Sequence, residues 1–159
     1  MDIKIRIASI EDKDTILSVI GSYPCKWDRR IAKRYYDDYF SDKPICLQED
    51  KIYVLTLNNR IIGVIGYSLD KYETNNYWLG WFYVHKKYQG KGYAKRLLDY
   101  IARKLKRKGA RKIFVDTSSD ELYNRALTLY LDNGFRIEAT IRDYYGNKED
   151  QIILSKLLT

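Results

Sequence analysis

The sequence is poor in the residues that build metal sites, disulfide frameworks and membrane spans. It has two cysteines, Cys25 and Cys46, in no C-x-x-C spacing, and one histidine, so it lacks the ligands of a structural zinc site. No apolar run approaches the roughly 18 to 20 residues that a membrane-spanning helix needs, and Met1 leads into an alternating charged segment rather than a signal peptide. We therefore expect a metal-free protein in the reducing environment of the cytoplasm.

Acidic residues are scarce in one part of the chain. The whole sequence carries 29 Lys and Arg against 21 Asp and Glu, a net charge of +8, and Asp99 is the only acid between Lys86 and Lys112. Such a basic stretch attracts phosphate-bearing ligands, which include nucleotide cofactors and nucleic acids. The charge alone leaves both ligand classes open, together with a helix face that simply meets solvent.

Length and hydrophobic content predict one globular domain over residues 1–159. A chain of 159 residues closes around a single core, and a hydrophobic content of 45% is sufficient to offset chain entropy. Hydrophobic periodicity predicts the element order β-α-α-β-β-β-α-β-α-β-β, without repeats or linkers. We therefore expect an α+β fold in which helices flank a central, mixed and mostly antiparallel sheet.

Alternating apolar residues and turn signals predict where the individual elements lie. The predicted strands are 3–7, 52–57, 61–69, 77–84, 112–116, 136–144 and 151–157. The predicted helices are one that follows Ser9 and Asp12, one over 27–40, one from near Gly90 to Gly109, and one over 121–133. The predicted hairpin turns are Asn58-Asn59 and Gly146-Asn147. The predicted apolar face of the second helix consists of Trp27, Ile31, Tyr35 and Tyr39.

A glycine-containing loop separates a predicted strand from the most amphipathic predicted helix. It reads Gln89-Gly90-Lys91-Gly92-Tyr93-Ala94 and follows the strand that ends at Val84. The first N–H groups of a helix lack intrahelical partners and lie at the positive end of the helix dipole, so they can bind a pyrophosphate where side chains leave room. The alternative for so short a motif is a tight turn that merely requires glycine.

A second motif lies on the predicted helix 121–133 and at its end. Its members are Asn124, Ala126, Leu129-Tyr130 and Gly134-Phe135. In order and spacing, this motif and the loop resemble the two signatures of the GNAT superfamily of N-acetyltransferases. The loop residues that meet the family pattern are Gln89, Gly92 and Ala94. The resemblance covers nearly the whole chain, is weakest over residues 20–50, and implies a GNAT fold.

The resemblance also implies acetyl-CoA as the co-substrate and assigns residues to it. The implied cofactor-binding residues are Phe82, Tyr83, Val84, Gln89, Gly90, Lys91, Gly92, Tyr93, Ala94, Lys95, Asn124, Ala126 and Tyr130. Phe82 to Val84 would act through backbone N–H groups of a strand that splays at a bulge, although the pair Trp81-Phe82 could equally fill the core. Asn124 would contact the pantetheine arm with its side-chain amide, and the alternative for it is a helix N-cap.

Tyr130 is the catalytic residue that the resemblance implies. A phenol with a pKa of about 10 can give a proton to a departing thiolate whose pKa is about 8.5. Many family members carry a glutamate on the strand before the loop, whereas strand 77–84 has no carboxylate. A base that acts through water is therefore favoured. Its candidates are Glu121, Asp143 and Asp150, and the alternative for each is an ordinary surface acid.

The expected reaction is acetyl transfer from the thioester to a primary amine of a small molecule or of a peptide or protein N-terminus. Aromatic residues suggest a cationic or partly apolar amine. These residues are Trp27, Tyr35, Tyr39, Tyr144 and Tyr145. Two alternatives stay open: a coenzyme A-binding sensor of the same fold without catalysis, and a basic nucleic-acid-binding module, which leaves the second motif unexplained. We expect a monomer or homodimer that does not bind membranes.

Overall fold

The computed structural model describes residues 1–45 and 50–158, and Cys46 lies outside them. Its strands are β1 (Ile3–Ile7), β2 (Lys51–Leu57), β3 (Arg60–Leu69), β4 (Asn76–Val84), β5 (Lys112–Ser118), β6 (Arg136–Gly146) and β7 (Glu149–Leu157). Its α-helices are α1 (Lys13–Gly21), α2 (Lys26–Tyr39), α3 (Tyr93–Arg107) and α4 (Asn124–Asp132). This order along the chain is the predicted one. No helix among the described residues is long and apolar enough to cross a membrane.

The sheet is mixed and mostly antiparallel, which confirms the predicted α+β class. Its hydrogen-bonded strand order is β1-β2-β3-β4-β5-β7-β6. β1 pairs with β2, β2 with β3, β5 with β7 and β6 with β7 in antiparallel fashion, whereas β4 and β5 are parallel. The parallel pair requires a crossover, which the chain makes through α3.

The contacts divide the chain into two compact units. The first comprises Met1–Ser68 and Gly80–Ile101, and the second comprises Leu69–Leu79 and the chain from Ala102 onwards. β4 and α3 therefore each contribute residues to both units. The assignment of residues 1–159 to a single domain stays a prediction.

In the first unit, α1 and α2 bury one face each in a core with the strands. The buried residues of this core are Ala8, Ile16, Val19, Ile20, Ala32, Tyr36, Ile52, Val54 and Val64. The predicted apolar face of α2 is wrong in part, because Trp27 and Ile31 are 65% and 49% exposed, whereas Ala32 and Tyr36 are fully buried. The two predicted residues that do pack on the core, Tyr35 and Tyr39, are partly buried beside Tyr36.

The two hairpin turns depend on residues that tolerate a positive φ. Asn58 and Asn59 have φ of 49° and 64° between β2 and β3, which confirms the predicted turn. Between β6 and β7 the central residues are Asn147 and Lys148, with φ of 53° and 65°, and Gly146 already pairs with Glu149. The second turn thus lies one residue later than the prediction of Gly146-Asn147.

The second unit contains the end of α3, α4 and the strands β5, β6 and β7. The end of α3 has the hydrogen-bond pattern of a glycine-terminated helix, since Gly109 has φ of 84° and the N–H of Ala110 donates to the carbonyl of Leu105 at 3.0 Å. β6 lies at the edge of the sheet and is exposed along almost its whole length. The buried residues here include Ile113, Val115 and Leu154.

Candidate functional site

The candidate site begins at a backbone irregularity in β4. Trp81 has φ of 51°, in the left-handed region, where a bulky residue costs ~1–3 kcal/mol. Among the described residues, the parallel ladder between β4 and β5 comprises three pairs, the last of which is Trp78 with Phe114. The ladder therefore does not use the backbone of residues 82–84, which follow the irregular residue Trp81.

The indole of Trp81 packs against two aromatic rings of α2. Its ring centroid lies 5.4 Å from that of Tyr35 and 5.9 Å from that of Tyr36, both on α2. The alternative interpretation of Trp81 as a core residue therefore holds for its side chain. The bulge that the family resemblance implies near Phe82 stays a prediction, and the positive φ of Trp81 is the irregularity that β4 shows there.

A chain of hydrogen bonds holds the end of β4 and the start of the loop. The hydroxyl of Tyr23 donates to the carbonyl of Val84 at 2.6 Å and accepts from the Nε2 amide of Gln89 at 2.5 Å. The hydroxyl oxygen of Ser22 accepts from the backbone N–H of Lys86 at 3.1 Å. Ser22 and Tyr23, which follow α1, therefore fix both the end of β4 and the start of the loop by hydrogen bonds. Sequence reasoning missed Tyr23, since no local pattern connects it with residues sixty positions downstream.

The loop then reverses through two glycines before α3 begins. Gly90 and Gly92 have φ of 73° and 80°, so neither can be helical, and α3 begins at Tyr93 rather than near Gly90 as predicted. The first intrahelical bond runs from the N–H of Arg96 to the carbonyl of Gly92 at 3.1 Å. Residues 93–95 therefore carry N–H groups that precede the first intrahelical donor, at the positive end of a fifteen-residue helix.

The surroundings of this loop are exposed and positively charged. Lys91 is exposed and its ammonium lies 5.8 Å from the ring centroid of Tyr88. Lys95 is also exposed, but its ammonium pairs with Asp99 at 2.7 Å, which neutralises part of its charge. Lys86 and Lys87 are exposed as well. Of the two lysines predicted to bind phosphate, Lys91 therefore contributes the stronger positive electrostatic potential at the loop.

A carboxylate that sequence reasoning missed lies beside β4. The hydroxyl of Tyr83 donates to Oδ2 of Asp28, on α2, at 2.5 Å. The ring of Tyr83 meets that of Tyr23 edge to face, with centroids 5.4 Å apart. The signal that could have revealed Asp28 is its spacing, since it stands four residues before the buried Ala32 on α2 and a polar residue on a core-facing stripe requires a partner.

The remaining predicted residues belong to the second unit and are described within it. The N-cap position of α4 falls on Tyr123 and not on Asn124, so the alternative interpretation of Asn124 as the helix N-cap is wrong. Asn124 is exposed at the first position of α4, and Ala126 is half-buried. Their contacts with a cofactor stay predictions.

Tyr130 is buried on α4, where its ring lies 5.4 Å from that of Phe135. Burial, reinforced by the negative charge of Asp116, raises the pKa of Tyr130 well above its usual value. The same two causes raise the pKa of Tyr145 to about 12. The phenol of Tyr130 is therefore protonated at neutral pH, so its O–H can donate a hydrogen bond or a proton.

The three acids predicted as candidate bases are placed differently from Asp28. Asp143 accepts from the N–H of Lys148 at 2.8 Å, and Oδ1 of Asp150 accepts from the N–H of Asp143 at 2.9 Å. Both acids therefore stabilise the irregular turn of the β6–β7 hairpin. Glu121 is exposed at the start of a 3-10 turn before α4. Within the described residues, no group of three or more His, Cys, Asp or Glu side chains could hold a metal ion.

A family model matches most of the chain. The sequence model of the acetyltransferase (GNAT) family matches residues 16–135. No curated protein matches the chain.

Solved structures share the fold over the whole chain. A GNAT-family protein from Desulfovibrio desulfuricans is 20% identical, with a TM-score of 0.89 over 99% of this chain and 100% of that one. The ribosomal-protein-S18-alanine N-acetyltransferase from Escherichia coli is 16% identical, with a TM-score of 0.80 over 99% and 95%. The PaiA N-acetyltransferase from Thermoplasma acidophilum, in complex with coenzyme A, is 20% identical, with a TM-score of 0.75 over 99% of both chains. At these identities the likeness shows the fold.

Proposed function

Since the chain belongs to the acetyltransferase (GNAT) family, we propose that it transfers an acetyl group from acetyl-CoA directly to a primary amine. The observation that carries the proposal is one continuous segment of the first unit. It runs from the positive φ of Trp81, through a strand end that the β5 ladder does not use, to two positive-φ glycines and the N-terminus of α3. These backbone features would suit a ligand whose extended arm leads to a pyrophosphate.

The loop fits a phosphate group. A Cβ added at Gly90 or Gly92 would meet no protein atom within 4 Å, so the space beside both glycines can be taken by ligand oxygens. The N–H groups of residues 90–95 would hold the pyrophosphate, with Lys91 adding charge. The backbone of Phe82, Tyr83 and Val84 would hold the pantetheine arm and the thioester carbonyl. When bound, acetyl-CoA supplies an activated acyl thioester.

Tyr130 would assist the departure of the thiolate. Its raised pKa keeps the phenol protonated, so its Oη is a hydrogen-bond donor at every physiological pH. The same raised pKa makes complete proton transfer less favourable than for an exposed tyrosine. A thiolate that leaves into water-poor surroundings becomes more basic for the same physical reason, which restores the driving force. Asn124 would contact the pantetheine amides.

The acceptor would be a primary amine of a small molecule or of a peptide or protein N-terminus. The exposed rings of Trp27, Tyr144 and Tyr145 favour a cationic or partly apolar amine. The Escherichia coli neighbour is named for an alanine of a ribosomal protein, so peptide N-termini belong in any screen. A sensor that binds coenzyme A without transfer is the second candidate, because β4 carries no glutamate.

Mass-spectrometric acetylation assays test the proposal. The purified protein is incubated with acetyl-CoA and, separately, with phenethylamine, spermidine and a peptide that begins with alanine. We expect at least one product to gain one acetyl group, with stoichiometric release of coenzyme A. Binding of acetyl-CoA without any acetylated amine would support the sensor instead. A salt-sensitive gel shift of DNA or RNA without acetyl-CoA binding would support the nucleic-acid-binding alternative.

A further inference from the structure

β4 lacks a carboxylate of its own, but α2 supplies one to it. The hydroxyl of Tyr83, in the segment proposed to hold the thioester, donates to Oδ2 of Asp28 at 2.5 Å. The two residues are 55 positions apart in the sequence. Both side chains are half-buried, so a small amine can reach them. A phenol bonded to a carboxylate at this distance can pass a proton on as it receives one.

The fold holds this pair in place from both sides. On α2, Asp28 lies on the stripe that continues through the fully buried Ala32, so the carboxylate is directed toward the strands. On β4, the ring of Tyr83 packs on the core of the first unit and meets the edge of Tyr23 at 5.4 Å. Tyr83 belongs to the part of β4 that follows the last residue of the β5 ladder, Trp78.

The residues next to the pair have contacts of their own. Tyr23 already donates its proton to the carbonyl of Val84 at 2.6 Å and accepts from Gln89, so it positions the strand end rather than exchanging protons. Arg29 extends over Gly21, where its Cδ lies 3.3 Å from the position of an added Cβ. The guanidinium of Arg30 stacks on Trp27 at 4.6 Å.

From this geometry we infer that Tyr83 and Asp28 are the proton-accepting pair for the acceptor amine. The inference rests on the proposed function, and it supplies the base that the sequence of β4 lacks. As the nitrogen bonds to the acetyl carbon, its N–H bond breaks and the proton goes to Oη of Tyr83. The phenol proton moves to Oδ2 of Asp28 at the same time. The C–S bond then breaks, and the departing thiolate takes a proton from a general acid or from water.

Kinetics of three variants test the pair. Tyr83→Phe keeps the ring and removes the hydroxyl, whereas Asp28→Asn keeps the shape and removes the charge. We expect kcat to fall ~10²- to 10⁴-fold in each, the usual contribution of general base catalysis. The KM for acetyl-CoA stays within a few fold. The double variant is no slower than the slower single one, because the two groups act as a unit. The amine is whichever of phenethylamine, spermidine and the alanine peptide the wild type acetylates fastest.

A matched control lies on the same helix. Asp37 on α2 is exposed and pairs with Lys33 at 2.6 Å and with Lys13 at 2.9 Å. Asp37→Asn thus removes an α2 carboxylate without touching β4, and we expect its kcat to equal that of the wild type. Asp28→Ala with added formate distinguishes a proton acceptor from a structural residue, because a small carboxylate in solution can replace a missing base but not a missing packing contact.

The outcomes separate this inference from the proposed function. Recovery of kcat in Asp28→Ala by formate, and a smaller loss in Asp28→Glu than in Asp28→Asn, support the pair. Wild-type turnover with unchanged kcat in Tyr83→Phe and Asp28→Asn overturns it. A higher KM for the amine at unchanged kcat also overturns it, since the pair would then only bind the cation. Absence of any wild-type turnover removes the proposed function, and this inference with it.

Discussion

Gly92→Val tests the phosphate loop most directly. Gly92 has φ of 80°, and a β-branched residue in this left-handed region costs ~1–2 kcal/mol. The cost comes from the backbone alone, because an added Cβ at Gly92 meets no protein atom within 4 Å. In the presence of ligand the same side chain would occupy the space proposed for a phosphate. The variant should therefore fold with reduced stability and lose the cofactor.

Thermal melting separates the stability lost through the substitution from the stability gained by binding acetyl-CoA. A ligand at a hundredfold excess over its Kd stabilises the native state by ~2.7 kcal/mol, which for a domain of this size raises Tm by about 5 to 11 °C. We expect acetyl-CoA to raise the wild-type Tm by this amount. Without ligand, Gly92→Val should melt about 2 to 8 °C below the wild type. With acetyl-CoA its Tm should not rise.

Gly109→Val is the matched control for backbone strain. Gly109 has φ of 84°, and an added Cβ there also meets nothing within 4 Å, but it follows the C-terminal end of α3 whereas Gly92 precedes the N-terminal end. The control should lose a similar amount of stability and keep the full shift with acetyl-CoA. A full shift in Gly92→Val would show that the pyrophosphate does not lie on this loop. No shift in the wild type would refute cofactor binding altogether.

Three further changes give distinct readouts. Lys91→Ala should weaken acetyl-CoA binding, and the loss of affinity should be smaller at high salt. Lys106→Ala, at the other end of α3, should leave the affinity unchanged. Equal losses of affinity in the two variants would refute a local role for Lys91. Tyr130→Phe should lower single-turnover kcat about tenfold or more and leave acetyl-CoA affinity within a few fold. An unchanged rate would make Tyr130 a packing residue. Asp12 accepts a hydrogen bond from Arg6 at 2.6 Å, and this bond lowers the pKa of Asp12 in the folded state. The pair therefore stabilises the fold above pH ~4, and this stabilisation is lost as the pH falls through the lowered pKa. In urea unfolding, the stability difference between wild type and Asp12→Asn should therefore shrink in acid, and a constant difference would contradict this origin.

Local patterns in the sequence determined the order of the elements and several of their ends. Alternation and helical spacing report which residues are buried within one element, so the seven strands and four α-helices of the described residues could be predicted in order. Turn residues act just as locally. Asn58 and Asn59 adopt the positive φ of a tight hairpin, and Gly109 ends α3, because few other residues adopt these conformations at low cost. The loop at Gly90 and Gly92 was predictable for the same reason.

Only the tertiary structure decided which face of α2 is buried and which side chains meet at β4. The periodicity of α2 allows more than one stripe, and the packing of the core selected Ala32 and Tyr36 over Trp27. No local preference favours the backbone conformation of Trp81, since an aromatic residue at positive φ is strained and persists only where its surroundings stabilise it. The bond between Tyr83 and Asp28 joins residues 55 positions apart, and a contact at such separation depends on how α2 packs beside β4 rather than on either segment alone.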